Sequence, residues 1–544
     1  MAKINKNEIA QKQTKRALNH LLKDGFDDIY KKPIFIGHFE IDSLRKNQSL
    51  SDELLNNAKK LVLKQTVKDM SISPIDVLLY PKERFSYRKY SYIEPIDNIK
   101  YLSLVLHIAE SIEEKRVSRN RQIVHSYRFN KTGENIFSDL YNYSSFREKS
   151  RELTYKNIGN FKIITDISDF YDRVNLHRIE STLFGCGCDP EIISKINSLL
   201  LIWSNKDSYG LPVGCDASRI LAEAALIDVD NFLLSHKVKF IRFVDDYRIF
   251  VKSREEANYT LSLLTQRLYR EGLNLNSHKT KIVECKENAA EEDAREKLDT
   301  DEDDTLNELA STQKNSKSKP ENYSEKIRLR FQKPSNQEIE RLEKIDLKAL
   351  KDSIDESDDF EVLRDYARAA VLQNSEEHLL YLIELSKSYN FMISYVVDLF
   401  IKLNNHIKNE TKIKISEEFS DWLNSNSQKP DFVQICLNRL LSHTSYLNSN
   451  AIIKFIRSSP KSVSSLVNRE AILQIGSKLT RGEMLEIRDF FFKSSETEKR
   501  AIAKSFIENN SVHQDEKRPW LSLVQTYTSD PILKNMVDLA LKNN

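Results

Sequence analysis

Glycine and proline are scarce in this chain, with 11 glycines and 12 prolines among 544 residues. Collagen-like proteins and Pro/Gly-rich disordered proteins need far more of both, so the composition excludes these classes and favours a high helix content. Hydrophobic residues make up 40% of the chain and aromatic residues 9%, which is enough to build folded cores. At roughly 100–200 residues per domain, the length allows about two to four domains.

Cysteine is also rare, and long apolar runs are missing. The five cysteines form no CxxC pair, and Cys186 and Cys188 are too close together for ordinary zinc ligands. No segment approaches the ~18 consecutive apolar residues of a transmembrane helix, and residues 1–22 contain no apolar signal-peptide core. We therefore expect free thiols in a reducing cytoplasm and no membrane partner.

A charge excess is missing from the whole chain but not from its parts. The chain has 83 basic and 81 acidic side chains, so its formal net charge of +2 does not by itself indicate a nucleic-acid partner. Residues 82–160 are rich in Lys and Arg, whereas residues 286–304 are strongly acidic. Charge is therefore segregated along the sequence.

Composition and periodicity divide the chain into four segments. Residues 1–75 are mainly amphipathic helix with loops, and residues 76–285 mix short apolar strands with helices, which predicts an α+β or α/β domain. Residues 286–333 are charged and poor in aromatics, so we expect an exposed, partly disordered insert or linker. Residues 334–544 carry apolar residues at three- and four-residue spacing, which predicts an all-helical C-terminal domain.

The C-terminal segment also carries helix start signals. Capping boxes are formed by Ser335 with Glu338, Thr480 with Glu483, and Ser495 with Glu498. The helices have similar lengths and short polar links, which favours a HEAT-like helical repeat. The sequence shows no clean period, so an irregular helical bundle stays open as the alternative.

Three acids stand where strands are expected, although Asp is depleted from strands. Asp166 lies at the end of the apolar stretch in 160–167, and Asp245 and Asp246 separate two apolar stretches within 238–250. Alone, such a pair is more often a hairpin turn than a catalytic pair. If the strands are neighbours, the three carboxylates converge, and Mg²⁺ is the ion that best relieves their repulsion while keeping substrate phosphates in its shell.

Two such ions about 3.5–4 Å apart can activate a 3′-hydroxyl and stabilise a leaving pyrophosphate, which is nucleotidyl transfer. Two further segments support this chemistry. Residues 208–230 place a Gly-Leu-Pro-Val-Gly turn before a helix whose first residues could face a template. Residues 268–284 give a helix, a turn at Gly272 and a strand carrying Lys279, whose ammonium could meet a triphosphate or protonate the pyrophosphate.

In this order the four segments resemble the palm motifs A, B, C and D of reverse transcriptases, which lie here at residues 166–171, 210–223, 243–247 and 272–280. The amino-acid sequence of these motifs is most similar to the prokaryotic abortive-infection and defence-associated group, the AbiK- and AbiA-like enzymes. An all-helical C-terminal half also fits that group. The resemblance implies an α+β right-hand fingers–palm fold followed by the helical domain. It also implies a bacterial cytoplasmic DNA polymerase that uses two Mg²⁺ or Mn²⁺ ions.

The resemblance implies roles for individual acids and one lysine. Asp166 and Asp245 would be the principal metal ligands, and Asp246 would be a supporting acid. The carbonyl of Ile167 would complete the metal shell, and Lys279 would act at the triphosphate.

Other residues are implied to face the nucleotide or template. Tyr171, next to Phe170, stands where the family has its aromatic steric gate against a ribose 2′-hydroxyl, which implies deoxynucleotide substrates. Gly214 and Ser218 would lie beside the template–nucleotide pair. Arg128 would contact the triphosphate or template, or else form a structural ion pair.

Two positions depart from the family's pattern. Phe243 replaces the tyrosine that often precedes the paired acids and keeps its aromatic character. Val213 replaces the glutamine of the usual LPQG turn, which removes a polar contact near the template–nucleotide pair. The defence-associated group includes enzymes that synthesise DNA without a template, primed from a protein tyrosine. The sequence does not indicate which of its 22 tyrosines would serve.

We therefore expect a DNA polymerase of antiphage abortive-infection defence that works without a template and is primed from a protein, with dNTPs as substrates, a DNA product, a phage-derived trigger and a homo-oligomer. An RNA template is expected as a partner only if synthesis is templated. Two alternatives stay open. The first is a conventional RNA-templated reverse transcriptase. The second is a polymerase-derived scaffold that senses a phage component by binding, against which the three intact acids argue.

Overall fold

The structure is a computed structural model and describes residues 6–32, 34–69, 71–83, 86–156, 158–285, 334–356, 360–458 and 464–543. The charged insert predicted at 286–333 lies outside the described residues. The chain divides into two compact units that interleave in sequence. Unit 1 takes the chain up to Asp28, takes Ser51–Ile75 and resumes at Ile93, whereas unit 2 takes Ile29–Leu50, Asp76–Tyr92 and the C-terminal helices.

A β-hairpin explains why unit 2 is discontinuous. Strands β1 (Asp76–Glu83) and β2 (Ser86–Tyr92) pair antiparallel. Leu78 and Tyr90 are 1% and 4% exposed and share a hydrophobic core with the C-terminal helices. The domain boundaries predicted from composition treat each domain as one segment. The hairpin instead buries its apolar face against helices that lie hundreds of residues later in the chain.

Helices form most of the described chain. In the first half they are α1 (Lys6–Asp24), α2 (Phe39–Lys46), α3 (Gln48–Leu63), α4 (Pro95–Lys115), α5 (Tyr143–Tyr155), α6 (Phe170–Arg173), α7 (Leu176–Gly185), α8 (Pro190–Trp203), α9 (Asp216–Ala225), α10 (Ile227–Ser235) and α11 (Arg254–Glu271). In the second half they are α12 (Asn336–Glu343), α13 (Leu347–Glu356), α14 (Phe360–Leu372), α15 (Glu376–Ser388), α16 (Ile393–Lys402), α17 (Asn409–Asn424), α18 (Asp431–Leu441), α19 (Ser449–Ser458), α20 (Ser465–Ile475), α21 (Arg481–Asp489), α22 (Glu496–Glu508), α23 (Gln514–Tyr527) and α24 (Pro531–Asn543).

Unit 1 holds a four-stranded antiparallel sheet in the order β4-β5-β3-β6. Its strands are β3 (Phe161–Thr165), β4 (Lys239–Phe243), β5 (Asp246–Val251) and β6 (Lys281–Glu284). The two apolar stretches around the acids are therefore strands, as predicted. The predicted hairpin across the paired acids is confirmed, since β4 and β5 are joined by a two-residue turn.

One buried helix forms the core of unit 1. Helix α4 begins at Pro95, a residue suited to a first helical turn, and is apolar on several faces, with Leu102, Leu104 and Val105 all 0% exposed. A helix apolar around much of its circumference is buried on most sides. It packs against α1, α8 and α9. Helix α9, which follows the motif B turn, is therefore supported by the buried helix α4.

Unit 2 confirms the all-helical C-terminal region. The three predicted capping boxes are present at the starts of α12, α21 and α22, where Ser335, Thr480 and Ser495 each accept a main-chain N–H. Helix α18 contacts β1, and the Tyr80 and Phe432 rings lie 4.9 Å apart between centroids. The HEAT-like repeat stays a prediction. None of the described helices is long and apolar enough to cross a membrane.

Candidate active site

The sheet of unit 1 brings the three predicted acids to one end. Asp166 is the first residue beyond β3, Asp245 lies in the β4–β5 turn, and Asp246 is the first residue of β5. The Ile167 N–H donates to the Asp245 carbonyl at 3.3 Å. Because β3 and β5 are neighbours, their hydrogen-bond ladder continues into the acids and fixes the spacing of the two main chains.

The carboxylates at this end of the sheet repel one another. Burial, and then the charges of Asp246 and Asp166, raise the pKa of Asp245 to about 7. A carboxyl near like charges is easier to ionise when a cation is close. The charges of Asp246 and Asp166 therefore add to the effect of burial in disfavouring the Asp245 carboxylate.

Lys279 supplies positive charge to Asp166. Its Nζ lies 2.5 Å from Asp166 Oδ2. Burial disfavours the Lys279 ammonium, but the hydrogen bond and charge of Asp166 outweigh burial and raise its pKa. The prediction that Lys279 lies on a strand is wrong by two residues, because β6 starts at Lys281. The Asn276 carbonyl accepts the Thr280 N–H at 3.0 Å and holds this segment in a turn.

Arg248 is a neighbour of the acids that the sequence analysis missed. Its Nη1 donates to Asp246 Oδ1 at 3.1 Å, and the side chain is 7% exposed. Asp246 is therefore held by an arginine, whereas Asp166 is held by a lysine. The signal was present, since Arg248 is the only charged residue in the apolar stretch 247–251.

The donor set fits Mg²⁺ or Mn²⁺ in its chemistry. Carboxylate oxygens are the ligands these ions prefer, and the raised pKa of Asp245 is what a nearby divalent cation would relieve. In the described parts of the chain, no three His, Cys, Asp or Glu side chains stand ready as a metal cluster, and Lys279 holds Asp166. A metal ion would therefore compete with Lys279 for Asp166.

The predicted gate residue lies beside the acids. Tyr171 is partly buried on α6, and Phe170 is 3% exposed and packs inward. The Leu211 N–H donates to the Tyr171 carbonyl at 2.8 Å, which ties α6 to the turn before α9. Burial, and next the neighbouring Tyr127, raise the pKa of Tyr171, which therefore stays neutral.

Tyr127 and Arg219 are two further neighbours of Tyr171 that the sequence analysis missed. The Arg219 guanidinium lies 5.2 Å from the centroid of the Tyr127 ring. It is also paired with Asp216 on its own helix and with Asp28 from the N-terminal region. No sequence signal links Asp28 to Arg219, because the two residues are 191 positions apart.

The turn before α9 has the expected glycine geometry, but the helix start is buried. Gly214 has a φ of 105°, which favours glycine, and its carbonyl accepts the Asp28 N–H at 3.1 Å. Ser218 is 0% exposed, with its hydroxyl 3.2 Å from that of Tyr101 and 3.1 Å from Cys215 Sγ. Ser218 therefore packs α9 against α4 instead of standing free at the helix start.

Arg128 is also enclosed. It is 0% exposed, donates to the carbonyls of Val117 and Val124 at 2.6 and 3.1 Å, and lies 3.4 Å from Glu113. Of the two roles weighed for Arg128, this geometry favours the structural ion pair over a contact with the triphosphate.

Comparison with solved structures gives only distant likenesses. A telomerase of Candida albicans, in complex with the TWJ fragment of telomeric RNA, is 13% identical with a TM-score of 0.29, covering 77% of this chain and 69% of that chain. Apo telomerase of Candida tropicalis is 12% identical with a TM-score of 0.29, covering 72% and 74%. Similarity at this level supports no conclusion about this chain, and no curated protein sequence matches it.

A family model gives a specific match. Residues 118–321 match the model described as reverse transcriptase (RNA-dependent DNA polymerase). The match contains the ends of β3 and the β4–β5 hairpin, where the three acids meet. This part of the chain is therefore a reverse transcriptase domain, and such a domain indicates a nucleotidyltransferase of the RNA-directed DNA polymerase type.

Proposed function

We propose that the chain extends DNA from dNTPs at the acids Asp166, Asp245 and Asp246. The observation that carries the proposal is the convergence of Asp166, Asp245 and Asp246 at one end of the unit 1 sheet, where burial, and next the charges of Asp246 and Asp166, raise the pKa of Asp245 to about 7. A fold keeps such repulsion where a cation is to bind. The reverse transcriptase domain over residues 118–321 supports the same chemistry.

Each residue has a defined part in this proposal. Asp166 and Asp245, with Asp246 in support and the Ile167 carbonyl nearby, would hold two Mg²⁺ or Mn²⁺ ions. When bound, such ions activate a 3′-hydroxyl and stabilise the leaving pyrophosphate. Once released from Asp166, Lys279 donates a proton to the pyrophosphate.

The nucleotide side of the site selects the sugar by shape. Tyr171 is partly buried and fixed through its main chain to Leu211. From this position the Tyr171 ring would exclude a ribose 2′-hydroxyl by contact, so dNTPs are the substrates. Phe170 supports α6 from the core, and Gly214 lets the turn before α9 adopt its positive φ.

We extend the proposal to synthesis without a template. Val213 offers no polar side-chain contact to a templating base, and Ser218 and Arg128 are both 0% exposed. Three positions that a template contact would use are therefore apolar or enclosed. A protein tyrosine is the proposed primer, and exposed candidates include Tyr155 and Tyr259, at 69% and 65% exposure.

The cellular role we propose is abortive-infection defence against phage in the bacterial cytoplasm. It rests on the similarity of the four motifs and the helical C-terminal half to the defence-associated group. In this role a phage-derived component triggers synthesis, and a homo-oligomer is the working form. A sensor that acts by binding alone is the alternative, and phage protection that survives Asp245→Ala with Asp246→Ala would favour it.

The experiment is incorporation of labelled dNTPs by the purified full-length protein with Mg²⁺ or Mn²⁺, with and without an RNA template. Asp245→Asn is the control for contaminating polymerases. DNA made without a template, and attached covalently to the protein on a denaturing gel, is the expected result. Products found only with a template, and complementary to it, would overturn untemplated synthesis and leave the polymerase intact. Absence of incorporation under every condition, also after a lysate of phage-infected cells has been added to supply the trigger, would overturn the polymerase.

A further inference from the structure

The residue before Asp245 has a strained main chain. Val244 has a φ of 52°, which lies in the left-handed region. A β-branched side chain is crowded there, and such a conformation persists only where the surroundings enforce it. Val244 is 6% exposed, so the enforcing contacts lie inside unit 1.

Two side chains hold the main chain of Val244. The Ser126 hydroxyl oxygen accepts the Val244 N–H at 2.9 Å. From the other side, Arg242 Nη1 donates to the Val244 carbonyl at 2.7 Å. Both polar main-chain groups of the strained residue are therefore satisfied by side chains, one from a segment 118 positions earlier in the chain.

Ser126 and Arg242 are themselves fixed by a buried ionic network. Arg242 pairs with Glu223 at 3.0 Å and with Asp230 at 2.6 Å. Arg116 also pairs with Glu223 and donates to the Ser126 carbonyl at 2.7 Å. The Ser126 hydroxyl donates to Glu223 as well. The five side chains are 7% exposed or less: Arg116, Ser126, Glu223, Asp230 and Arg242.

A buried network of this kind is weak evidence for stability alone, because desolvation of the charges offsets much of their attraction. This network is distinguished by the residue that it contacts outside itself. The Ser126 hydroxyl and the Arg242 guanidinium both hydrogen-bond to the main chain of Val244, the single residue between β4 and Asp245. The Asp245 carbonyl is in turn fixed by the Ile167 N–H at 3.3 Å, so the turn is held from both ends.

We propose that Ser126 and Arg242 are positioning residues for the metal site. They hold Val244 in its left-handed conformation and so set the direction of the Asp245 carboxylate relative to Asp166. The proposal rests on the proposed function, since it assigns a support to that same site. It adds two residues that touch no metal or substrate and that act only through the main chain of Val244.

The test is the metal response of Ser126→Ala in the full-length protein. It is read as the rise in melting temperature with Mn²⁺ and as the Mn²⁺ dependence of dNTP incorporation. We expect the apparent metal affinity to fall by about tenfold, which is typical when a residue that orients a ligand is lost. Ser103→Ala is the matched control, because Ser103 is also 0% exposed but donates only to the Ile99 carbonyl of its own helix.

Val244→Gly separates positioning from general packing. Glycine adopts a positive φ without strain, so in that background the turn needs the Ser126 hydroxyl less. We expect Ser126→Ala to weaken the metal response clearly less when Val244→Gly is present than when it is absent. If Ser126→Ala does not fold, Ser126→Cys keeps a weaker acceptor of similar size, and we expect a smaller loss with the same dependence on Val244.

The outcomes are distinguishable. A metal response of Ser126→Ala equal to that of Ser103→Ala, or an equal loss in both Val244 backgrounds, would overturn the positioning role. If the wild-type protein itself shows neither a metal-dependent melting shift nor incorporation, the proposed function fails, and the positioning role falls with it.

Discussion

Asp245 in unit 1 and Glu470 in unit 2 share a property, because the pKa of each carboxyl is raised to about 7. Burial is the first cause in both. The other neighbours differ, since Asp246 and Asp166 repel the charge of Asp245. Glu470 is 0% exposed, accepts the Ile36 N–H at 2.8 Å and pairs with Arg469.

The difference shows that a perturbed pKa does not by itself mark a functional site. Asp245 is partly exposed and stands among like charges, so a cation can reach it and would be stabilised there. Glu470 is sealed beside an arginine that also binds Glu40. Burial raises the pKa of Glu470, and the one arginine beside it, Arg469, is shared with the second buried acid, Glu40. Access and the sign of the neighbouring charges separate the two cases.

The largest effect is expected from Asp245→Asn, which keeps the size of the side chain and removes its charge. Loss of a metal ligand removes several kcal/mol of transition-state stabilisation, so dNTP incorporation should fall by at least about a hundredfold. Metal-free stability at pH 8 should rise, because the repulsion with Asp166 and Asp246 is relieved. Incorporation assays and thermal melts on one preparation check both. A fully active variant would remove Asp245 from the site.

Arg469→Met in unit 2 should lower stability and leave incorporation intact, which is the opposite of the effect expected from Asp245→Asn. Glu40 and Glu470 would then be buried without their guanidinium, so the free energy of unfolding should fall by about 3–5 kcal/mol. Incorporation per folded molecule should be retained. Denaturant unfolding at pH 7 measures the loss. The triple variant Glu40→Gln, Arg469→Met, Glu470→Gln is the control and should recover much of it. A stable single variant would contradict the structural role.

The pH dependence of stability should respond to Mg²⁺ at Asp245 but not at Glu470. The pKa of Asp245 rises from 3.8 to about 7 on folding, so the folded protein binds this proton more tightly than the unfolded chain. Metal-free stability should therefore fall as pH rises from about 4 to about 7 and then level off. At Mg²⁺ concentrations below saturation, incorporation should rise over the same pH range, by at most roughly tenfold per pH unit, because a proton on Asp245 competes with the metal. Mg²⁺ should stabilise the protein more at pH 8 than at pH 6, which melts at both pH values measure.

The smallest effect is expected from Glu470→Gln at pH 4. There the carboxyl is largely neutral in both the folded and the unfolded chain, so the free energy of unfolding should change by less than about 1 kcal/mol. At pH 8 the variant should be the more stable protein, because Glu470 has lost its proton there in the wild type. The stabilisation by Mg²⁺ should not change at either pH. A changed Mg²⁺ response would show that the two carboxyls are not independent.

The sequence predicted the features that depend on neighbouring residues in the chain. The strands around Asp166 and Asp245, the β4–β5 hairpin and the starts of three C-terminal helices follow from apolar alternation, turn residues and capping boxes. These are local patterns, and the structure confirms them. The position of Lys279 was wrong by two residues because the Asn276 turn delays the start of β6.

Contacts between distant segments could not be predicted in the same way. Arg128 and Ser218 have residue types suited to a phosphate or a base, and only tertiary packing shows that both are enclosed. The charged residues inside apolar runs, Glu223, Arg242 and Arg248, were visible in the sequence. Their partners lie in other segments of the chain, so the pattern marks them as buried charges without saying what they hold.

The sequence by itself determined the order of the four motifs, the identity of the three acids and the helical nature of the second half, because these depend on residue type and local period. Tertiary structure alone decided that Lys279 holds Asp166, that the β1–β2 hairpin belongs to unit 2, and that Ser126 and Arg242 close on Val244. Such contacts join residues that lie close only after folding, since burial, strain and charge balance are properties of the packed chain.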